Sequence, residues 1–239
     1  MPNSKDQSLF VEGLGQIRVR YNSRAKRFVF RVKDNELVMT APRYSTTREQ
    51  LKAIDTMFNE LQSLLDRSAE PLIDLNYKID TTYFKLQIKQ GTGKQFLAQS
   101  ELGSMVIAAP AEVDFENKDL QEWLKKVIIE ALRRNAKIIL PPRLYMLAKR
   151  NNITYDRVRI NTSKGRWGSC SQKKSINLSA YLVLLPEHLI DYVLLHELAH
   201  IDHMDHSEHF WNRLDLLTNN QALELNAELK KYKTSLFNL

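Results

Sequence analysis

Apolar and polar residues alternate in two short runs near the start of the chain. Residues 16–21 carry Ile17, Val19 and Tyr21 at every second position, and residues 28–33 carry Phe28, Phe30 and Val32. A period of two puts alternate side chains on one face, so both runs are expected as half-buried strands. Asp34-Asn35 is expected to turn the chain into a third, more continuously apolar strand that ends at Ala41-Pro42. The period then lengthens. Thr46 and Glu49 have the spacing of a capping box, and Leu51, Ile54, Phe58, Leu61 and Leu65 follow on one helical face. The same plan returns after Pro71, with strands around Lys78 and over residues 83–88, a turn at Gly91-Thr92-Gly93, and an apolar run from Met105 to Ala109-Pro110. A helix over residues 120–135 comes next, with Leu120, Trp123, Leu124, Val127 and Leu132 directed inward. The two passages predict a duplicated β-β-β-α unit, over residues 16–66 and 77–136, behind a polar and loose segment 1–7.

Pro141-Pro142 marks a change of character. A helix over residues 144–150, a strand over 157–160, a loop around Arg166 and a strand over 175–179 lead to an apolar helix opened by Pro186, and helices over 207–217 and 221–232 follow. The fold class is therefore α+β. A small sheet over one helix forms a carboxy-terminal domain (138–239), preceded by an amino-terminal α+β region (1–137). A chain of 239 residues, 43% of them hydrophobic, has material for one large or two modest domains. No apolar run approaches the ~20 residues of a membrane helix and no signal peptide is visible, so no membrane partner is expected. Cys170 is the sole cysteine. It can form no internal disulfide, which suits a cytoplasmic location, and it is expected to be a buried structural thiol.

The chemistry concentrates late in the chain. Five of the six histidines fall between His196 and His209, within His196-Glu197-Leu198-Ala199-His200 and the ten residues after it. On a helix this H-E-x-x-H spacing puts two imidazoles one turn apart on one face, where both can bind one Zn²⁺. Glu197 is then placed to take a proton from the attacking water. A catalytic zinc needs a third protein ligand and an open position. His206, ten residues after His196 and just before a helix that Ser207 is placed to cap, is the favoured third ligand. His203 is its rival, since it would face the metal if the helix continued, with Glu224 and Glu228 as later alternatives. His203 also occupies the place where a metzincin has its bending glycine, which argues against that class. His209 reads as a surface residue or one supporting the site, and His188 as solvent-facing.

Arg166-Trp167-Gly168-Ser169-Cys170-Ser171, Ile176-Asn177-Leu178, His196-Glu197-Leu198-Ala199-His200, His206-Ser207 and Phe210-Trp211 occur in that order. This series resembles the YgjP-like family of metallopeptidases over roughly residues 10–220. That family is similar in its core to the WLM and SprT-like proteases. The resemblance implies a zincin-like fold, His196, His200 and His206 as ligands and Glu197 as base. It supplies no substrate. Asp205 stands where Asn is more usual, a change that leaves ligation intact. Trp167 is expected to pack beside the metal helix. The Arg166 loop and strand 175–179 are expected to rim a cleft in which an edge strand pairs with an extended substrate. Arg166 is placed there to bind a substrate carboxylate or the oxyanion.

The formal net charge is +7, and it is uneven. Residues 143–174 hold nine Lys or Arg and one acid, Asp156, while residues 5–33 hold eight Lys or Arg against Asp6 and Glu12. Such stretches suit a nucleic-acid backbone or an acidic protein, although basic strands are commonly just solvated faces. Two readings follow: a zinc-dependent peptidase acting on protein or peptide, and a metal-stabilised protein- or nucleic-acid-binding module with little hydrolysis. Glu197 separates them, because a structural metal site has no use for a neighbouring carboxylate.

Overall fold

Alternation in the first 42 residues folds as four strands: β1 (Gln7–Val11), β2 (Gly15–Asn22), β3 (Val29–Lys33) and β4 (Glu36–Pro42). They come from a computed structural model that describes residues 7–33, 36–68, 71–163 and 165–236. Of the loose segment expected at 1–7, residues 1–6 lie outside the described residues and Gln7 instead opens β1; the turn expected at Asp34-Asn35 also lies outside the described residues. The strand order is β1-β2-β4-β3, with β2 and β4 parallel and both outer strands antiparallel to their neighbours. Ile17, Val19, Leu37, Met39 and Ala41 are buried, and they share a core with Ile54 and Leu61 of the following helices. Those helices are α1 (Thr47–Thr56) and α2 (Phe58–Ser68), where one continuous helix was expected; the chain breaks at Met57. The Thr46–Glu49 capping box forms as expected. Leu51 faces solvent, 44% exposed.

By its internal contacts the chain divides into two compact units, residues 1–71 and 72–239. The second opens on a sheet of the same plan. Strands β5 (Lys78–Asp80), β6 (Lys85–Gln90), β7 (Leu97–Glu101) and β8 (Ser104–Ala109) are ordered β5-β6-β8-β7, with β6 parallel to β8. Each of the two sheets therefore has four strands, not the three expected from alternation. The missed strands, β1 and β7, are sheet edges, and β7 is exposed throughout.

Helix α3 (Lys118–Arg150) follows, capped by Asn117, and runs through Pro141 and Pro142 without a break. The break expected between a helix over 120–135 and another over 144–150 is thus absent, and the boundary expected at 137/138 falls inside α3. A proline inside a helix costs roughly 3 kcal/mol through its missing N–H and its clash with the preceding turn. Burial offsets that cost here. Leu140, Leu144 and Ala148, around and beyond the prolines, continue the stripe of Leu124, Ile128 and Leu132, all in one core. Trp123, expected inward, is 40% exposed and tilts against Phe96.

A third sheet comprises β9 (Arg157–Asn161), β10 (Gly168–Cys170) and β11 (Ser175–Ser179) in the order β10-β11-β9. Strand β11 is central, antiparallel to β10 and parallel to β9, so it is not the cleft edge that strand 175–179 was expected to form. The edge is β10. A fully buried 3-10 turn, Ala180–Leu184, leads into α4 (Glu187–Ala199), α5 (Glu208–Leu217) and α6 (Ala222–Leu229). Arg143 fastens α3 to α4 through a two-pronged pairing with Asp191 and a 2.8 Å contact with Glu187. No described helix is long and apolar enough to cross a membrane.

Candidate metal centre

Helix α4 is apolar on nearly every side: Leu189, Ile190, Tyr192, Val193, Leu194, Leu195, Leu198 and Ala199 are all buried. A helix of that kind belongs in a core, and polar side chains at its last turn need partners there. It ends with His200 as its C-cap, and the chain then turns back on itself. Arg213 of α5 donates to Asp202 at 2.7 Å, tying this return to the next helix. Asp205 accepts from the Ser207 amide at 3.2 Å just before α5. Ser207 holds the N-cap position, as expected, but its side chain makes no capping bond.

The return brings His206 back over the helix end. Its Nε2 lies 3.3 Å from Nε2 of His196, and one ligand atom from each of His196, His200 and His206 lies within 4.8 Å of the others. Two nitrogens bound tetrahedrally to one zinc at ordinary Zn–N lengths stand about 3.3 Å apart, so the His196–His206 edge already has that span. Phe210 of α5, fully buried, forms the floor under all three rings, at 5.0, 4.5 and 4.8 Å between centroids for His196, His200 and His206. In the sequence Phe210 enters through the Phe210-Trp211 pair of the family series.

His203, the rival ligand, serves through its backbone. The His200 ring donates from Nδ1 to the His203 carbonyl at 3.0 Å. A carbonyl can only accept, so the proton sits on Nδ1 and Nε2 is left free as a donor to metal. The His203 ring stacks on His209 instead. Because α4 stops at Ala199, the continued helix that would have turned His203 inward does not exist. His188 pairs with Glu228 at 2.9 Å, half exposed, and neither Glu228 nor Glu224 belongs to the histidine cluster.

Burial, reinforced by the neighbouring His200 and His206, pushes His196 down to about 3, and burial lowers His200 as well. Both rings are held neutral, the form that ligates. Glu197 is 4% exposed, and burial pushes its carboxyl up to about 8. Its Oε2 is buried without a hydrogen-bond partner among the described residues. Oε1 lies flat against Gly168 of β10, where an added Cβ would fall 2.5 Å away. Gly168 is thus the space in which the Glu197 side chain lies.

Cys170, two residues along β10, is half-buried, and burial with the nearby Glu197 charge pushes its thiol up to about 11. It is thus less enclosed than the buried thiol expected from the sequence. Trp167 packs against the core, as expected. Arg166 is exposed on the loop before β10 and lines an open cleft of about 530 Å³ with Asn161, Ser163, Gly165, Gly168 and Ser169. It stands on the rim, outside the histidine cluster.

Three convergent imidazole nitrogens, beside a buried Glu197 oxygen that lacks a partner among the described residues, form a donor set that could hold a metal ion. Comparison with curated proteins and with solved structures finds no match. The model of a metallopeptidase-domain family matches residues 26–232, most of the chain and all of the elements that build this centre. The chain belongs to the YgjP-like metallopeptidase-domain family.

Proposed function

We propose that the protein is a zinc-dependent endopeptidase, with His196, His200 and His206 as metal ligands and Glu197 as general base. The observation that carries this reading is the buried, unpartnered Oε2 of Glu197 beside three convergent imidazoles. A purely structural metal site would gain nothing from it, and burying such an oxygen costs about 1–3 kcal/mol or more unless a function retains it. Bound zinc would polarise the scissile carbonyl, make water a stronger acid, and through its charge bring the Glu197 carboxyl, held up by burial in metal-free protein, to its ionised form. Glu197 then accepts the water proton at Oε2 and returns it to the departing amine. The bond from His200 Nδ1 to the His203 carbonyl leaves Nε2 as the atom that would hold the metal.

Protein or peptide chains are the substrate class, and the β10 edge is the proposed place for them. A peptide laid along Gly168–Cys170 by strand addition passes the carboxylate that rests on Gly168. Arg166, at the entrance to that strand, is placed to hold a substrate carboxylate or the developing oxyanion. The chain's own metal content tests the ligand set. Protein as purified should hold about one zinc. His206→Ala should strip it, whereas His203→Ala, which removes a ring but keeps the carbonyl, should leave it bound. Metal lost from His203→Ala and kept by His206→Ala would overturn the assignment.

A further inference from the structure

Seven Lys or Arg residues and no acid lie between Gly13 and Lys33, the densest uncompensated charge in the chain. The structure gives that run a shape. In β2 the buried Ile17 and Val19 alternate with Arg18 and Arg20, so the two arginines stand on the sheet face opposite the core. Register extends this face across the sheet. Arg18 and Arg31 both sit opposite Val38, one on each side of β4, and Ser8 sits opposite Arg18 on β1. In the neighbouring row Phe10 lies opposite Gln16, and Lys33 lies opposite Glu36. Phe10 is 75% exposed, an unusual position for an aromatic ring on a strand whose Leu9 and Val11 pack inward. Arg24, Lys26 and Arg27 continue the charge, all exposed, on the connection from β2 to β3. Glu36 pairs with Arg18 at 2.6 Å and offsets one cation of the group.

We propose that this outward face of the β1–β4 sheet binds single-stranded nucleic acid, with Arg20, Arg31, Lys33 and the Arg24–Arg27 connection on phosphates and Phe10 stacking on a base. Charge complementarity selects a polyanion. The bare ring selects one with aromatic faces to offer, since stacking on an exposed aromatic within a basic sheet face is how base-tolerant single-strand binders gain affinity. A duplex keeps its bases stacked on each other and gives Phe10 nothing to cover. Arg18 and Arg20 are two residues apart, about 7 Å along the strand, and Arg18 and Arg31 are two strands apart, about 10 Å across. The cations therefore form a two-dimensional field that a flexible backbone can cross. None of this depends on the peptidase reading, because no residue of the metal centre takes part.

The full chain should bind a fluorescent 20-nucleotide oligothymidylate, read by anisotropy over a salt series. Log affinity against log salt should fall with a slope of about −0.7 for each phosphate neutralised. Arg20→Gln with Arg31→Gln should flatten that slope by about 1.4 in total. Phe10→Ala should weaken binding by about tenfold while leaving the slope unchanged. Lys137→Gln with Lys149→Gln, exposed cations of the second unit, should change nothing. The proposal is overturned by absence of binding at low salt, or by binding that responds equally to the control pair. It is equally overturned if Phe10→Ala is silent and a duplex of the same length, or heparin, binds as tightly as the single strand.

Discussion

The two four-stranded sheets share strand order and pairing directions, yet they carry different burdens. The β1–β4 sheet closes its core with α1 and α2, and every residue of that core lies within the first 71 residues. The β5–β8 sheet packs on α3, whose length continues the same apolar stripe to the buried face of α4 and so supports the histidine cluster. One copy of the plan is complete in itself, and the other is a foundation. What separates them is the helix after the strands: two short helices broken at Met57 in one case, and 33 continuous residues in the other.

That contrast is open to a direct attack. Leu144→Ala in α3 and Leu37→Ala in β4 each empty a fully buried site, and each should cost about 2–5 kcal/mol. Zinc stabilises whatever folds around it in proportion to the logarithm of its concentration over Kd. In a calorimetric scan, Leu144→Ala should therefore lower the transition that added zinc raises, and Leu37→Ala should lower one that zinc leaves in place. A single transition shifted alike by both variants and by zinc would erase the distinction.

A smaller change sharpens the account of the site. Gly168→Ala puts a methyl group where the Glu197 carboxylate lies. The carboxylate is the free end of a side chain, so the fold should tolerate its displacement. Catalysis should not, because misplacing a reacting group by about 1 Å can cost up to a hundredfold. The expected outcome is a ten- to hundredfold lower kcat with zinc content and melting unchanged. Wild-type turnover from this variant would remove Gly168 from the argument.

A further effect is in pH. In metal-free protein His196 titrates near 3 when folded and near its ordinary 6.5 when unfolded, so the unfolded chain binds more protons between those values. Stability present above pH 6.5 should fall progressively as pH drops toward 3. Glu197 works the other way. Folded, it holds its proton up to about 8, and unfolded only to about 4.5, so its burial costs stability increasingly as pH rises through that window. Glu197→Gln should accordingly raise the Tm of chelated protein at pH 8 more than at pH 4. An equal change at both values would mean that the carboxyl is not held up by burial.

The elements that alternation or helical spacing marked strongly were legible: β2, β3, β4, β8, β11 and α4, with the capping box before α1. Those misread had a local signal overruled by packing. Leu97-Ala98-Gln99-Ser100-Glu101 lacks an apolar alternation because both its faces are exposed, and it is a strand only because β8 pairs with it. Pro141-Pro142 is a strong breaker, and it yields to the buried stripe around it. At the site, the three histidines and Glu197 could be picked out by spacing, since a helix turn fixes where they point. The contributions of Phe210, Gly168 and the His203 carbonyl could not, because each depends on a chain return or a strand edge that no local spacing records.

The central claim is that Glu197 moves a proton while the histidines hold the metal, and one substitution separates these roles. Glu197→Gln keeps the size of the side chain but cannot accept the proton, and loss of a general base typically costs about two to four orders of magnitude in rate. The measurement is turnover of an unfolded protein substrate by zinc-loaded Glu197→Gln and zinc-loaded wild type, with metal content determined on the same samples. The account predicts equal zinc and a rate lower by at least about a hundredfold. Equal zinc with equal rates would contradict it.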